Sequence, residues 1–131
     1  MGDGIDQVRR YLAAMERRDV VSAQGMLAPD FCMWFPGSVV FHTLEELIAW
    51  GQSRYQSIGK RYEHFDAVPV DSQNVSGDTE QVVYCFGTLH GEWLDGEAFD
   101  DIRFIDRFTI RDGLFVEQRV WNDLAEVMPS R

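Results

Sequence analysis

The side chain with the strongest chemical implication is Asp106. Read as a strand, residues 101–111 put Ile102, Phe104, Phe108 and Ile110 on one face, with Asp101, Arg103, Arg107, Thr109 and Arg111 largely on the other. Asp106 falls in the middle of the apolar face. A carboxylate there loses its water, so it must be paired, be protonated, or face a wet cavity. Two readings stay open: a structural aspartate held by an arginine or by backbone, and a pocket carboxylate.

His90 is the second candidate, because imidazole moves protons near neutral pH. Its orientation depends on the turn that follows residue 93. If Asp95-Gly96 is a two-residue loop, Leu89 pairs with Ile102 and His90 points away from Asp106. If Leu94-Asp95-Gly96 is a three-residue loop with a bulge, Thr88 pairs with Ile102, Tyr84 faces Asp106, and His90 points inward. One step of register suffices, because side chains alternate along a strand. The last hairpin poses the same choice. A three-residue loop Arg111-Asp112-Gly113 pairs Asp106 with Gln118 and Phe104 with Val120, whereas a two-residue loop sets Arg119 against Asp106 as an ion pair.

Other chemistries find little support. His42, His64 and His90 lie on separate elements without H-x-x-x-H or H-x-H spacing, so no metal site is expected. Gly2-Asp-Gly4 follows no strand and is no phosphate loop, and no G-x-S-x-G exists for a serine nucleophile. Cys32 and Cys85 sit in apolar runs without C-x-x-C spacing, which reads as buried free thiols. Trp34, Trp50, Trp93 and Trp121 suit a core or dimer contact as well as a pocket.

The elements that must position these residues are helices first and a sheet after. Ile5, Val8, Tyr11, Leu12 and Met15 recur at spacings of three and four, which predicts a helix over 5–18. Asp19 caps a short second helix over 20–28, which Pro29 stops. Residues 31–35 read as a strand. Thr43-Leu-Glu-Glu46 is a capping box, opening a third helix that runs to about Ser57. Residues 61–71, 80–93, 98–111 and 114–123 read as four strands, joined at Asn74–Asp78, Asp95-Gly96 and Asp112-Gly113.

The chain has 131 residues, which fits a single domain over 1–131. Its net charge of −10 opposes phosphate backbones and anionic membranes, so neither nucleic acid nor membrane is an expected partner. No basic and apolar leader opens the chain, no apolar run approaches a membrane span, and the cysteines suit a reducing compartment, so a cytoplasmic location is expected. Strand 80–93 is apolar on both faces, which predicts a homodimer through the outer face of the sheet.

Several stretches resemble a known superfamily. Val8-Arg-Arg-Tyr-Leu-Ala-Ala-Met15, Arg18-Asp19-Val20, Leu27-Ala-Pro-Asp-Phe31, Phe35-Pro36-Gly37 and Phe104-Ile-Asp106-Arg-Phe108 look like ketosteroid isomerase. Arg111-Asp-Gly-Leu-Phe-Val-Glu117 and Trp121-Asn-Asp123 are similar to SnoaL-like polyketide cyclases. Both belong to the nuclear transport factor 2-like superfamily. The resemblance implies an α+β cone, with three N-terminal helices on a strongly curved, mainly antiparallel sheet and a pocket at the wide end. It implies that Tyr11 and Asp106 hydrogen-bond a substrate oxyanion. It places Gln118, Val120 and Asn122 on the pocket wall, which favours the three-residue last loop. Met33, Phe35, Trp50, Tyr84 and Phe104 complete the expected wall. Phe35 falls where the isomerase has its general base, so steroid isomerisation by that route is not expected. His90 falls one place after the histidine common in the cyclases. The Arg-x-Asp and second Asp of limonene epoxide hydrolases would fall at Gly87, Leu89 and Val120, which excludes that activity. The expectation is a pocket for a small apolar or aromatic ligand, without a cofactor. One reading is acid–base isomerisation, cyclisation or dehydration of a carbonyl compound by Tyr11, Asp106 and His90. The other is ligand or protein binding without catalysis.

Overall fold

The computed structural model describes residues 4–68 and 80–128. Helix α1 (Gly4–Glu16) buries Val8, Tyr11 and Leu12, the face set by their spacing. Asp19 caps α2 (Val20–Gln24), accepting from the Ser22 N–H at 3.2 Å. Strands β1 (Leu27–Phe35) and β2 (Val39–Phe41) follow. Helix α3 (Leu44–Gln52) opens on the expected capping box, with the Glu46 N–H donating to Thr43 Oγ1 at 3.2 Å and Glu46 Oε1 accepting from the Thr43 N–H at 3.1 Å. Then come β3 (Tyr55–Val68), β4 (Glu80–Trp93), β5 (Ala98–Arg111), β6 (Leu114–Asn122) and a final turn of helix, α4 (Leu124–Val127).

The six strands form one sheet in the order β2-β1-β6-β5-β4-β3. Every pairing is antiparallel except β1 with β6, which is parallel. Val8, Tyr11, Phe31, Met33, Val83, Cys85, Phe108, Ile110 and Phe115 form the heart of the core, each at most 4% exposed. Large side chains of this kind stabilise a fold by roughly 1.5–3 kcal/mol each when fully buried. Among the described residues no helix is long and apolar enough to cross a membrane.

Expected element bounds change at two places. Helix α2 ends at Gln24 with Gly25 as its cap, and β1 begins at Leu27, before Pro29, where the β1–β6 ladder is interrupted between Leu27 and Cys32. Proline lacks the N–H a ladder needs, and the interruption accommodates it. Helix α3 ends at Gln52 with Ser53 as its cap, and Tyr55–Lys60 belong to β3 instead. The expected turn at Asn74–Asp78 lies outside the described residues.

The two hairpins set the site. At Asp112 and Gly113 φ is +51° and +83°, and Arg111 pairs with Leu114, a two-residue turn of the type these angles favour. The expected three-residue loop is therefore absent. A bulge at β6, between the Thr109–Glu117 and Ile110–Phe115 pairs, then shifts the register by one. Asp106 opposes Val120, Phe108 opposes Gln118 and Phe104 opposes Asn122, so these three β6 residues share the inner face. Between β4 and β5, the Trp93 N–H donates to the Glu97 carbonyl at 2.8 Å, closing the three-residue loop Leu94–Gly96. Further along, the register shifts between the Leu89–Ile102 and Gly91–Phe99 pairs, and Asp101 there has φ +57°. The bulge undoes the loop's offset. Cys85 opposes Asp106, and Tyr84 opposes Arg107 on the other face.

Candidate functional site: an apolar cavity floored by an ion pair

A cavity of about 380 Å³ lies between α1, α3 and the concave face of the sheet. Phe35, Trp50 and Phe104 give it flat apolar walls, and Gln118, Val120 and Asn122 contribute from β6. The Phe35 ring packs edge-on against Phe41 and Trp50, with centroids 5.5 and 5.4 Å away. At the isomerase base position there is thus a ring in an aromatic cluster, and no proton acceptor.

Asp106 is completely buried, and its partner is Lys60, the only lysine of the chain. Lys60 Nζ donates to Asp106 Oδ2 at 2.5 Å. Lys60 sits on β3 opposite Leu89, and Asp106 sits on β5 opposite Cys85, so the lysine reaches diagonally across β4. Its ammonium also stands 4.8 Å from the Phe104 ring centre, a cation–π contact. The Lys60 backbone N–H donates to Glu16 Oε2 at 3.2 Å, tying β3 to the end of α1. The Lys60 side chain remains 22% exposed while Asp106 has no exposure, so the lysine is the member of the pair that the cavity's contents can touch.

The charges follow from this arrangement. Burial, the largest single influence, pushes the Lys60 ammonium down, but the Asp106 charge, Tyr62, Cys85 and the hydrogen bond to Asp106 together hold the lysine above its ordinary range. Burial pushes the Asp106 carboxyl above the usual aspartate range, with Lys60 pulling against it. Tyr11 is raised by burial and then by the Asp106 charge, so its hydroxyl keeps its proton. Burial, with Asp106 behind it, also lifts the Cys85 thiol to about 12, which makes it inert. Tyr11 Oη and Asp106 Oδ1 are both buried, and neither has a hydrogen-bond partner among the described residues. Such atoms cost free energy until something bonds them.

Not every expected site residue lines this cavity. Tyr11, Asp106, Phe35, Trp50, Phe104, Gln118, Val120 and Asn122 do. His90 does not: it opposes Gly59, and its Cε1 lies 2.8 Å from the point a Gly59 Cβ would occupy. With Leu89 opposite Ile102 and Cys85 opposite Asp106, His90 lies on the other face of β4 from Asp106. Tyr84 lies on the outer face, where its hydroxyl accepts from Arg107 Nε at 3.1 Å. Met33 is fully buried in the core and off the cavity wall. Arg119, the alternative partner of Asp106, is on the outer face and donates to Glu117 at 3.0 Å. Lys60 was the residue missed. It falls one place before the strand read over 61–71, and its being the sole lysine was the available signal. No three His, Cys, Asp or Glu side chains gather as a metal site would need, among the described residues.

A curved mixed sheet wrapped over helices, enclosing an apolar cavity with a polar floor, defines a protein of the nuclear transport factor 2-like class. The SnoaL-like domain model matches residues 8–118, and the chain belongs to that family. No curated protein matches it in sequence. Among solved structures it is similar to a nuclear transport factor 2-like protein of unknown function from Burkholderia pseudomallei, with 19% identity and a TM-score of 0.75 over 96% of this chain and 95% of that one. It is similar to TerC, co-crystallised with polyporic acid, with 17% identity and a TM-score of 0.75 over 93% of this chain and 92% of that one. A protein from Pseudomonas putida provisionally named a polyketide cyclase gives 16% identity and a TM-score of 0.66 over 93% of this chain and 92% of that one. At these identities the likeness establishes the fold.

Proposed function

We propose that this chain is a small-molecule pocket protein that takes an apolar carbonyl compound and anchors the carbonyl oxygen at Lys60. The observation that carries this is the Lys60–Asp106 pair on the floor of an aromatic-walled cavity, beside a Tyr11 hydroxyl that has no hydrogen-bond partner among the described residues. An ammonium fixed by a buried carboxylate is a preorganised donor. It stabilises a carbonyl oxygen more strongly as negative charge develops there, which is the requirement for enolisation. In this role Asp106 fixes Lys60 and does not itself meet the ligand. That the TerC protein was co-crystallised with polyporic acid supports a small organic molecule as the occupant of this kind of fold. Titration of 2-acetylnaphthalene, followed by quenching of Trp50, tests the reading. Wild-type binding should weaken about tenfold or more in Lys60→Met, and unchanged affinity would remove Lys60 from the site.

Catalysis requires a base, and one observation favours it. Glu16 also lines the cavity, at the end of α1, with Oε2 beside the Lys60 backbone. On the catalytic reading Glu16 takes a proton from the carbon next to the carbonyl while Lys60 holds the resulting enolate oxygen. Exchange of the methyl protons of 2-acetylnaphthalene with deuterium, catalysed by the wild type and lost in Glu16→Gln, is the corresponding result. Binding without exchange would leave the protein a ligand carrier.

The protein is also proposed to be a homodimer through the outer face of the sheet. Phe86, Ile105 and Trp121 form one cross-strand row there, with Phe86 and Trp121 39% and 48% exposed. Large apolar side chains in a row on an open face favour association.

A further inference from the structure

Lysine is almost never buried unless paired, because its ammonium loses hydration. Here the chain's only lysine is drawn inside, onto the wall of an apolar cavity. Its Nζ stands 2.5 Å from Asp106 Oδ2, and 22% of the side chain stays exposed. In the same wall Asp106 Oδ1 and Tyr11 Oη are buried, with no hydrogen-bond partner among the described residues. The site therefore joins an amine, which is a nucleophile once it gives up a proton, to a base already in contact with it. The unpartnered oxygens beside them can bond polar groups that form during a reaction.

We propose that Lys60 is a nucleophile that takes an aromatic aldehyde in this cavity as an imine. This rests on the pocket reading and adds a covalent step to it. The Lys60 ammonium passes a proton to Asp106 Oδ2. Its lone pair then bonds to the aldehyde carbon, and the carbonyl π pair moves to oxygen. A proton shift from nitrogen to that oxygen gives a carbinolamine. The new hydroxyl sits on the carbon bonded to Nζ, which keeps it near the same carboxyl. Asp106 returns its proton to that hydroxyl, the C–O bond breaks and water leaves. The nitrogen lone pair closes the C=N bond. One ammonium and one aldehyde have become one iminium and one water, and Asp106 is a carboxylate again.

The surroundings suit this product. An iminium carries the same single positive charge as the ammonium it replaces, beside the same buried carboxylate. The pairing that keeps Lys60 protonated thus slows the attack without opposing the outcome. Phe35, Trp50 and Phe104 offer flat walls to an aromatic ring. An aldehyde carbon bears a hydrogen where a ketone bears a second carbon, so it is the more open to attack.

The test mixes the whole chain with 2-naphthaldehyde and sodium cyanoborohydride, which reduces an imine to a stable secondary amine. The intact mass should rise by that of the aldehyde less one oxygen, and peptide mapping should place the label at Lys60. Labelling there should slow about tenfold when 2-acetylnaphthalene is present at about ten times its Kd, by mass action at one site. Lys60→Arg, which keeps a cation beside Asp106, should carry label at the terminal amine alone. Label confined to the terminal amine in the wild type, or label at Lys60 that the ketone does not slow, overturns the imine. If the ketone still quenches Trp50 in that case, the pocket reading stands. Absence of both ketone binding and Lys60 label overturns both.

Discussion

Removing Lys60 would leave Asp106 as a buried carboxylate with neither water nor a cation. Breaking a buried pair from one side costs about 3–5 kcal/mol, and Lys60→Met should lose stability of that order in urea denaturation at pH 7. The loss should depend on pH. With burial alone acting, the folded-state pKa of Asp106 lies above its unfolded value of about 3.9. The folded state then holds the proton more tightly. Stability is therefore present below about pH 4 and lost as pH rises through the folded value. The gap between Lys60→Met and wild type should be small near pH 4 and widen toward pH 7, and a gap independent of pH would contradict the pairing. The lysine gives a second measurement. As the only one in the chain, it yields a single set of side-chain resonances. In the wild type its ε-methylene should titrate above the usual lysine value of about 10.4. In Asp106→Asn, where burial is opposed only by the weaker influences of Tyr62 and Cys85, it should titrate lower than in the wild type. Asp106 was legible in the sequence because period-two alternation placed a charge among Ile102, Phe104, Phe108 and Ile110. Its partner was not, because Lys60 comes from a strand two places away in the sheet, and no local pattern encodes that contact.

At the scale of elements, short-range chemistry read well and accumulated offsets did not. The Thr43 capping box and the limits of β4 and β5 appear as expected, because caps and alternation are local. The hairpins combine a turn with a later bulge, and each bulge reverses the offset that the turn alone would give. Asp112-Gly113 announces its turn, but nothing near Val116 announces a bulge. The orientation of His90 stays open in the sequence for the same reason, since the extra residue that sets it lies at Asp100–Asp101 on the facing strand. The bends also require close approach of β3 and β4. A Cβ at Gly87 would stand 1.9 Å from the Arg61 carbonyl oxygen, next to Lys60. Backbone cannot yield as a flexible side chain can, so Gly87→Ala should cost about 1–3 kcal/mol or more. It should also shift the Lys60 resonances, while an unshifted lysine would show β3 to be independent of that contact.

The whole molecule should be a dimer of twice 15.1 kDa. Multi-angle light scattering should show that mass, and Phe86→Glu/Trp121→Glu should halve it without loss of secondary structure. A monomeric wild type would sink the interface. The cone was legible because helix periods precede strand periods in the chain, and the parallel contact was not, because it joins strands from opposite ends of the sequence. That contact has a kinetic side. Strand β1 (Leu27–Phe35) has only the three-residue β2 beside it until β6 (Leu114–Asn122) arrives on its other edge. On a ribosome the N-terminal third must wait, helices and aromatic wall unassembled, until nearly the last strand has emerged. Loop closure of that span makes a high-contact-order chain, for which folding in milliseconds to seconds is usual. During that interval Phe31, Met33 and Phe35 are exposed on an unpaired edge, so the nascent chain should need shielding by chaperones more than the finished protein's acidic surface would suggest.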